Sequence, residues 1–240
     1  MEVKLELLII EDNLKHFADA REICQQYRGI EFTFASTLND VSRLLKNNTY
    51  GAVISDVFFP DKIGDEPDYH CGVAVAMLLL EDTKTPFVYN TAGNHHGRLY
   101  QQFLDALKHQ LRANNIYKSD SWACRSSGKL IEAYPEDNEG EKDTKQWVAA
   151  INYAILLAKS KEVNNDVSRN IGVFLEFAHH GDYGRLTEQM DGVLDQNISV
   201  EEYCKKILPH RNMLLSKNYD PMYFRTFEFI RTTIAAYKYG

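Results

Sequence analysis

The sequence is poor in cysteine and has no long apolar run. Its four cysteines, Cys24, Cys71, Cys124 and Cys204, are scattered among 240 residues without a C-x-x-C pair, so neither a zinc site of paired cysteines nor a disulfide framework is indicated. No stretch approaches the roughly 20 apolar residues that a membrane-spanning helix needs, and the first residues lack the basic-then-apolar layout of a signal peptide. Reduced, buried thiols are typical of the cytoplasm. We therefore expect a cytoplasmic protein without a membrane partner.

The sequence also lacks an excess of positive charge. It has 27 Lys and Arg residues against 34 Asp and Glu residues, which gives a net charge of −7. Proteins that bind nucleic acid mainly through its phosphates carry basic patches, so the composition argues against a nucleic-acid partner. Hydrophobic residues make up 44% of the chain and charged residues 25%, which is typical of a globular protein and excludes wholesale disorder.

The first 160 residues alternate strand-like apolar runs with segments of helical spacing. In the first helical segment, Leu14, Phe17 and Cys24 are among the residues expected to share one face. Parallel strands need a long crossover connection, so this alternation predicts a doubly wound α/β domain over residues 1–160 with a five-stranded parallel sheet. The predicted strands are 5–10, 30–34, 51–55, 86–90 and 130–134, and the predicted helices are 14–27, 38–45, 72–80, 99–111 and 144–160.

Residues 161–240 have helical spacing throughout. Breaks at Gly181, Asn197 and residues 218–221 divide this half into four predicted helices. We expect a small, separate all-α domain that serves as an effector or dimerisation module. The predicted helices are 167–180, 183–194, 200–216 and 221–239.

Three carboxylates are predicted to meet at one edge of the sheet. Glu11 and Asp12 follow the first strand and Asp56 follows the third, and doubly wound sheets bind their ligands at the carboxyl ends of the strands. Three neighbouring acids raise one another's pKa unless a cation compensates, and oxygen ligands of this kind suit Mg²⁺. After the fourth strand, Thr91 and Ala92 offer a hydroxyl and backbone N–H groups that can bind an anion.

Segments at successive strand ends resemble the receiver domain of two-component response regulators. The matching segments are 9–13 (IIEDN), 55–60 (SDVFFP) and 85–92 (TPFVYNTA), and the resemblance covers residues 3–158. It implies a flavodoxin-like fold with strand order 2-1-3-4-5. It also implies a signalling phosphoacceptor in a phosphorelay rather than a classical enzyme. Residues 161–240 show no such resemblance.

The resemblance implies a role for each matching residue. Asp56 would be the phosphoacceptor, and Glu11, Asp12, Asp56 and the backbone carbonyl of Phe58 would bind Mg²⁺. Thr91 would hydrogen-bond the phosphoryl group as the switch residue. The implied partner is a sensor histidine kinase or a phosphotransfer protein, with a homodimer as an additional option.

The sequence departs from the receiver pattern at the fifth strand. Receivers end this strand with a lysine that pairs with the phosphoryl oxygens, and here Tyr134 stands in its place, before Pro135. Lys118, Lys142 or Lys145 could reach the site instead, and we favour Lys145, at the start of the following helix. Without such a lysine the chain would be a degenerate receiver that acts as a phosphorylation-independent binding or scaffold module, and this alternative stays open.

Two further segments flank the predicted site. An acidic loop at residues 61–71 would be either a solvated lid or a group of acids that tunes cation affinity. His95 and His96 follow the switch threonine, and they would be surface or capping residues unless one of them contacts the phosphoryl pocket or binds a transition metal. His95 and Tyr134 are therefore additional candidates for contact with that pocket.

Overall fold

The computed structural model describes residues 4–79, 85–91, 98–113, 129–132, 142, 144–160 and 221–239. Strands and helices alternate in the described part of residues 5–160. The strands are β1 Leu5–Ile10, β2 Ile30–Ala35, β3 Ala52–Ser55, β4 Phe87–Thr91 and β5 Lys129–Glu132. The helices are α1 Leu14–Cys24, α2 Leu38–Asn47, α3 Tyr69–Leu78, α4 Arg98–Ala113, α5 Thr144–Ser160 and α6 Pro221–Tyr239.

Strands β1 to β4 form a parallel sheet in the order β2-β1-β3-β4. The predicted order of these four strands is therefore confirmed. At the sheet edge, β5 pairs in parallel with β4, from Val88 opposite Lys129 to Thr91 opposite Glu132; the side chains of β5 lie outside the described residues. The sheet gives the chain a parallel α/β fold.

The central strands are apolar on both faces because helices cover both faces. Leu7 and Ile9 of β1 point to the side of α1 and α5, where they join one apolar cluster. Leu8 and Ile10 point to the opposite side, where a second cluster includes residues of α2, α3 and α4. All four side chains are fully buried, so β1 lies at the centre of the core.

Helix α1 buries Cys24, as the sequence predicts, but does not bury Leu14. Its buried residues are His16, Ala20, Ile23 and Cys24, whereas Leu14 is 86% exposed. The helical angle is 100° per residue, so Leu14 lies about 200° away from His16 and points away from the sheet. A histidine therefore occupies the first core position of this helix.

Helix α6 packs on the side of the sheet that carries α1 and α5. Ile230 and Ile234 are fully buried in the cluster on that side, and the backbone N–H of Gly29 donates to the carbonyl of Tyr237 at 3.4 Å. A Cβ added at Gly29 would lie 2.9 Å from the Tyr237 ring, so a glycine allows this close approach. The domain boundary near residue 160 and the three predicted helices between residues 167 and 216 lie outside the described residues.

Within the described ranges, no helix combines the length and the apolar character that crossing a membrane requires.

Candidate functional site

Strand pairing brings the predicted acidic residues together. Ile10 of β1 pairs with Ser55 of β3, so the residues that follow, Glu11 and Asp56, are neighbours at the same sheet edge. The backbone N–H of Asp56 donates to the carbonyl of Ile10 at 2.9 Å. One oxygen from each carboxylate of Glu11, Asp12 and Asp56 lies within 4.8 Å of the other two.

Glu11 is fully buried and hydrogen-bonded at both oxygens. Its Oε1 accepts from the backbone N–H of Asn13 at 3.1 Å, and its Oε2 accepts from the ammonium of Lys142. Burial works to raise the pKa of Glu11, but the charge of Lys142 and a contact with His16 hold that pKa below its ordinary value. Glu11 is therefore ionised inside the protein.

Asp56 is also held at both oxygens. Its Oδ1 accepts from the backbone N–H of Val57 at 2.6 Å, and its Oδ2 accepts from Lys142 Nζ at 2.6 Å. Burial raises the pKa of Asp56, Lys142 opposes that rise, and Glu11 adds to it. The pKa of Asp56 stays above its ordinary value because burial, with the charge of Glu11, outweighs the effect of Lys142.

Asp12 shows that the cluster is short of positive charge. Burial, together with the charges of Asp56 and Glu11, raises its pKa from 3.8 to about 6. Three carboxylates and one ammonium carry a net charge of −2 when all four are ionised. A divalent cation would balance that charge.

The lysine at the carboxylates is Lys142, one of the three lysines considered from the sequence but not the favoured one. Its side chain is 1% exposed and its ammonium bridges Glu11 and Asp56. Burial works to lower the pKa of Lys142, but the two carboxylates raise it above its ordinary value. Lys145 lies in the first turn of α5, and its side chain, like all of Lys118, is outside the described residues.

His16 is a site residue that the sequence analysis missed. Its Nε2 accepts from the backbone N–H of Lys142 at 3.4 Å, and its Nδ1 lies 3.7 Å from Glu11 Oε1. The signal in the sequence was a polar residue that shares the helical spacing of Ala20 and Cys24. Such a residue on a core-facing stripe needs a polar partner, and Lys142 and Glu11 are those partners.

The end of β4 is joined to the start of α5. Thr91 is buried, and its carbonyl accepts from the side-chain amide of Gln146 at 3.1 Å. Phe58, whose carbonyl was expected to bind a metal, lies two residues after Asp56 and is buried. Ala92, His95 and Tyr134 lie outside the described residues, and their expected roles stay predictions.

The acidic loop contributes a helix cap. Asp68 precedes α3, and its Oδ1 accepts from the backbone N–H of His70 at 2.9 Å. Asp61, Asp65 and Glu66 line a groove together with Leu38 and other residues. In the part of the chain that the structure describes, the group of acids close enough to share a metal ion is Glu11, Asp12 and Asp56.

Comparison with known proteins gives a distant likeness in fold. No known family and no curated protein matches the sequence. One similar solved structure is the RcsB response regulator of Salmonella typhimurium, described for its conformational dynamism in DNA interaction, with a TM-score of 0.35 and 10% identity over 94% of this chain and 99% of that chain. Another is RcsB from Salmonella enterica serovar Typhimurium, with a TM-score of 0.33 and 12% identity over 93% of this chain and 98% of that chain. At these values the likeness concerns the fold alone.

One expectation about partners is corrected. The second of these RcsB structures is bound to the promoter P1flhDC in the presence of the phosphomimetic BeF₃⁻. This finding contradicts the inference from net charge that argued against a nucleic-acid partner. The inference was unsafe because a local basic face can bind phosphates even when the whole chain is acidic, and we withdraw it.

Proposed function

We propose that the protein is a cytoplasmic response regulator that accepts a phosphoryl group on Asp56 with the help of Mg²⁺ and thereby changes its protein contacts. The observation that carries the proposal is the bridge from Lys142 to Glu11 and Asp56. The sequence lacks a lysine at the end of the fifth strand, and Lys142 supplies the missing cation from another part of the chain.

The chemistry of the donor set fits Mg²⁺. Glu11, Asp12 and Asp56 offer hard, anionic oxygens, which Mg²⁺ prefers, and the backbone carbonyl of Phe58 would add a further oxygen. The raised pKa of Asp12 indicates that the cluster favours added positive charge. When bound, Mg²⁺ would neutralise charge on the phosphoryl oxygens.

In this proposal Asp56 is the nucleophile. A carboxylate oxygen of Asp56 would attack phosphorus in line, so that a new O–P bond forms while the bond to the donor's leaving group breaks. The donor would be a sensor histidine kinase or a phosphotransfer protein. Lys142 and the hydroxyl of Thr91 would then pair with the phosphoryl oxygens. We also propose that the chain forms a homodimer.

The proposal is tested by the intact mass of the full chain after incubation with acetyl phosphate and Mg²⁺. We expect a gain of about 80 Da, one phosphoryl group, in the wild type. The gain should vanish in EDTA and in Asp56→Asn, and it should persist in Asp61→Asn, which removes an exposed acid of the acidic loop. A wild type that binds Mg²⁺ but gains no mass from acetyl phosphate or from a histidine-phosphorylated donor contradicts the proposal.

A degenerate receiver is the second candidate. The observation that favours it is that Lys142 already provides a counter-charge for Glu11 and Asp56 without a metal. Such a module would bind its partner equally well with Asp56 or with Asn at that position. Unchanged partner binding by Asp56→Asn, together with no mass gain in the wild type, would select this candidate.

A further inference from the structure

We propose that His16 is a positioning residue that holds Lys142 at the carboxylates. The effect of this positioning on phosphoryl transfer rests on the proposed function, whereas the contact between His16 and Lys142 can be tested without any phosphorylation. The residues involved are His16 of α1, Glu11 at the end of β1, and Lys142, which lies shortly before α5.

One imidazole lies between the backbone of Lys142 and the carboxylate that the Lys142 ammonium contacts. Its Nε2 accepts from the backbone N–H of Lys142, which assigns the ring proton of the neutral form to Nδ1. That nitrogen lies 3.7 Å from Glu11 Oε1, and Oε2 of the same carboxylate accepts from Lys142 Nζ. His16, Glu11 and Lys142 therefore form a closed ring of contacts.

The position of His16 is itself fixed by the start of α1. The Asn13 side chain caps this helix and accepts from the backbone N–H of His16 at 3.3 Å. His16 is 7% exposed and lies on the buried stripe that continues through Ala20 and Ile23. A polar side chain at such a position costs stability unless it is hydrogen-bonded. The contacts of His16 with Lys142 and Glu11 offset that cost and explain why a histidine can occupy the position.

The ring of contacts gives the backbone of Lys142 a defined place. A lysine side chain is long and flexible, so its ammonium bridges two carboxylates only if its backbone is held at the right distance. Lys142 lies in the connection between β5 and α5. Its contact with His16 links that connection to α1, 126 positions away in the sequence. We infer that loss of the Nε2 acceptor frees Lys142 from Glu11 and Asp56.

Three variants of His16 separate the two contacts of the ring. His16→Gln keeps an amide group at the place of Nε2 and can still accept from Lys142. His16→Asn keeps an amide near the place of Nδ1, facing Glu11, but does not reach Lys142. His16→Leu removes both contacts and preserves an apolar side chain on the stripe.

The readout is acetylation of individual lysines by a short pulse of an amine-reactive reagent, measured by peptide mass spectrometry on the folded full chain. In the wild type, Lys142 should be protected because its side chain is 1% exposed. We expect about tenfold faster labelling in His16→Asn and His16→Leu, the effect of losing roughly one hydrogen bond, and wild-type protection in His16→Gln. Lys62, which is exposed, serves as the internal control and should label equally in all four proteins.

Protection of Lys142 in folded His16→Asn and His16→Leu would overturn the proposal. So would equally fast labelling in His16→Gln, because the acceptor would then not be what matters. If His16→Leu unfolds, the contrast between Gln and Asn still decides. Parallel mass measurements keep the two proposals apart: His16-dependent protection without any mass gain in the wild type from acetyl phosphate or from a histidine-phosphorylated donor supports the positioning role and contradicts the proposed phosphorylation.

Discussion

The site has an acidic half, made of the carboxylates of Glu11, Asp12 and Asp56, and a basic half, made of Lys142. The two halves are held in different ways. Glu11 and Asp56 lie one residue beyond a paired position of β1 and β3, and the backbone N–H of Asp56 extends the ladder of the sheet. Lys142 is held by contacts with Glu11, His16 and Asp56, which join residues 86 to 131 positions apart. Strand register therefore places the acids, and tertiary contacts place the lysine.

This difference predicts where the site is fragile. The acids keep their places as long as the sheet exists, so their repulsion must be balanced by a group that the sheet itself does not position. Lys142 provides part of that balance, and it depends on α1 and on the segment before α5. A substitution on the basic half should consequently cost more stability than a similar one at the rim of the acidic half.

The largest expected effect is that of Lys142→Met. Removing the ammonium leaves the carboxylates of Glu11 and Asp56 buried without their counter-charge, and breaking a buried ion pair in this way costs about 3 to 5 kcal/mol. Urea unfolding of the full chain measures this loss. Lys62→Met, which removes an exposed lysine, is the matched control and should be nearly neutral.

A double variant sharpens this first prediction. Lys142→Met combined with Glu11→Gln removes the ammonium and one of the charges that it compensates, so the double variant should be more stable than Lys142→Met alone. If the free energy of unfolding of Lys142→Met lies within about 1 kcal/mol of the wild-type value, then Lys142 does not compensate buried charge. The contrast between the two halves of the site then fails.

The sequence was sufficient for the parts of the molecule that depend on local pattern. The parallel sheet follows from the alternation of strands and helices, the order of β1 to β4 was implied by the resemblance to receiver domains, and the meeting of Glu11, Asp12 and Asp56 follows from strand ends. The parallel sheet and its shared edge need only the period of the apolar residues and the rule that carboxyl ends of parallel strands lie on one side of a sheet.

The sequence was insufficient where a side chain is placed by distant parts of the chain. Lys145 was favoured over Lys142 because it begins a helix, yet the choice depends on which residue of the connection points inward. The predicted buried face of α1 was right for Cys24 but wrong at its start, because Leu14 was included and His16 was not. Hydrophobicity alone cannot show that a buried histidine is stabilised by polar partners that lie after a strand and before another helix.

Helix α6 offers a second test of the structure that depends on contacts distant in sequence, with a smaller expected effect on stability. Ile234 is fully buried in the cluster shared with α1 and α5, so Ile234→Ala should cost about 3 kcal/mol. Ala236→Ser changes an exposed position of the same helix and is the control. A loss below about 1 kcal/mol for Ile234→Ala would show that α6 does not stabilise the α/β core.

The smallest expected effect concerns pH and the acidic half. The pKa of Asp12 is raised to about 6 in the folded chain from 3.8, so between pH 7 and pH 5 the folded state binds this proton more tightly than the unfolded state. Asp12 therefore lowers stability at pH 7, and this loss is relieved as the pH falls towards 5. Water around the half-buried carboxylate keeps the effect small.

The comparison of wild type with Asp12→Asn isolates this effect from other groups that titrate in the same range. In EDTA, Asp12→Asn should raise the urea midpoint at pH 7 and raise it less at pH 5, while Asp61→Asn in the exposed loop should show no such dependence. Saturating Mg²⁺ should reverse the order at pH 7, because a metal that binds the folded wild type stabilises it. A difference between the two proteins that does not change with pH would mean that Asp12 carries its charge without penalty, and the acidic half would then need no cation.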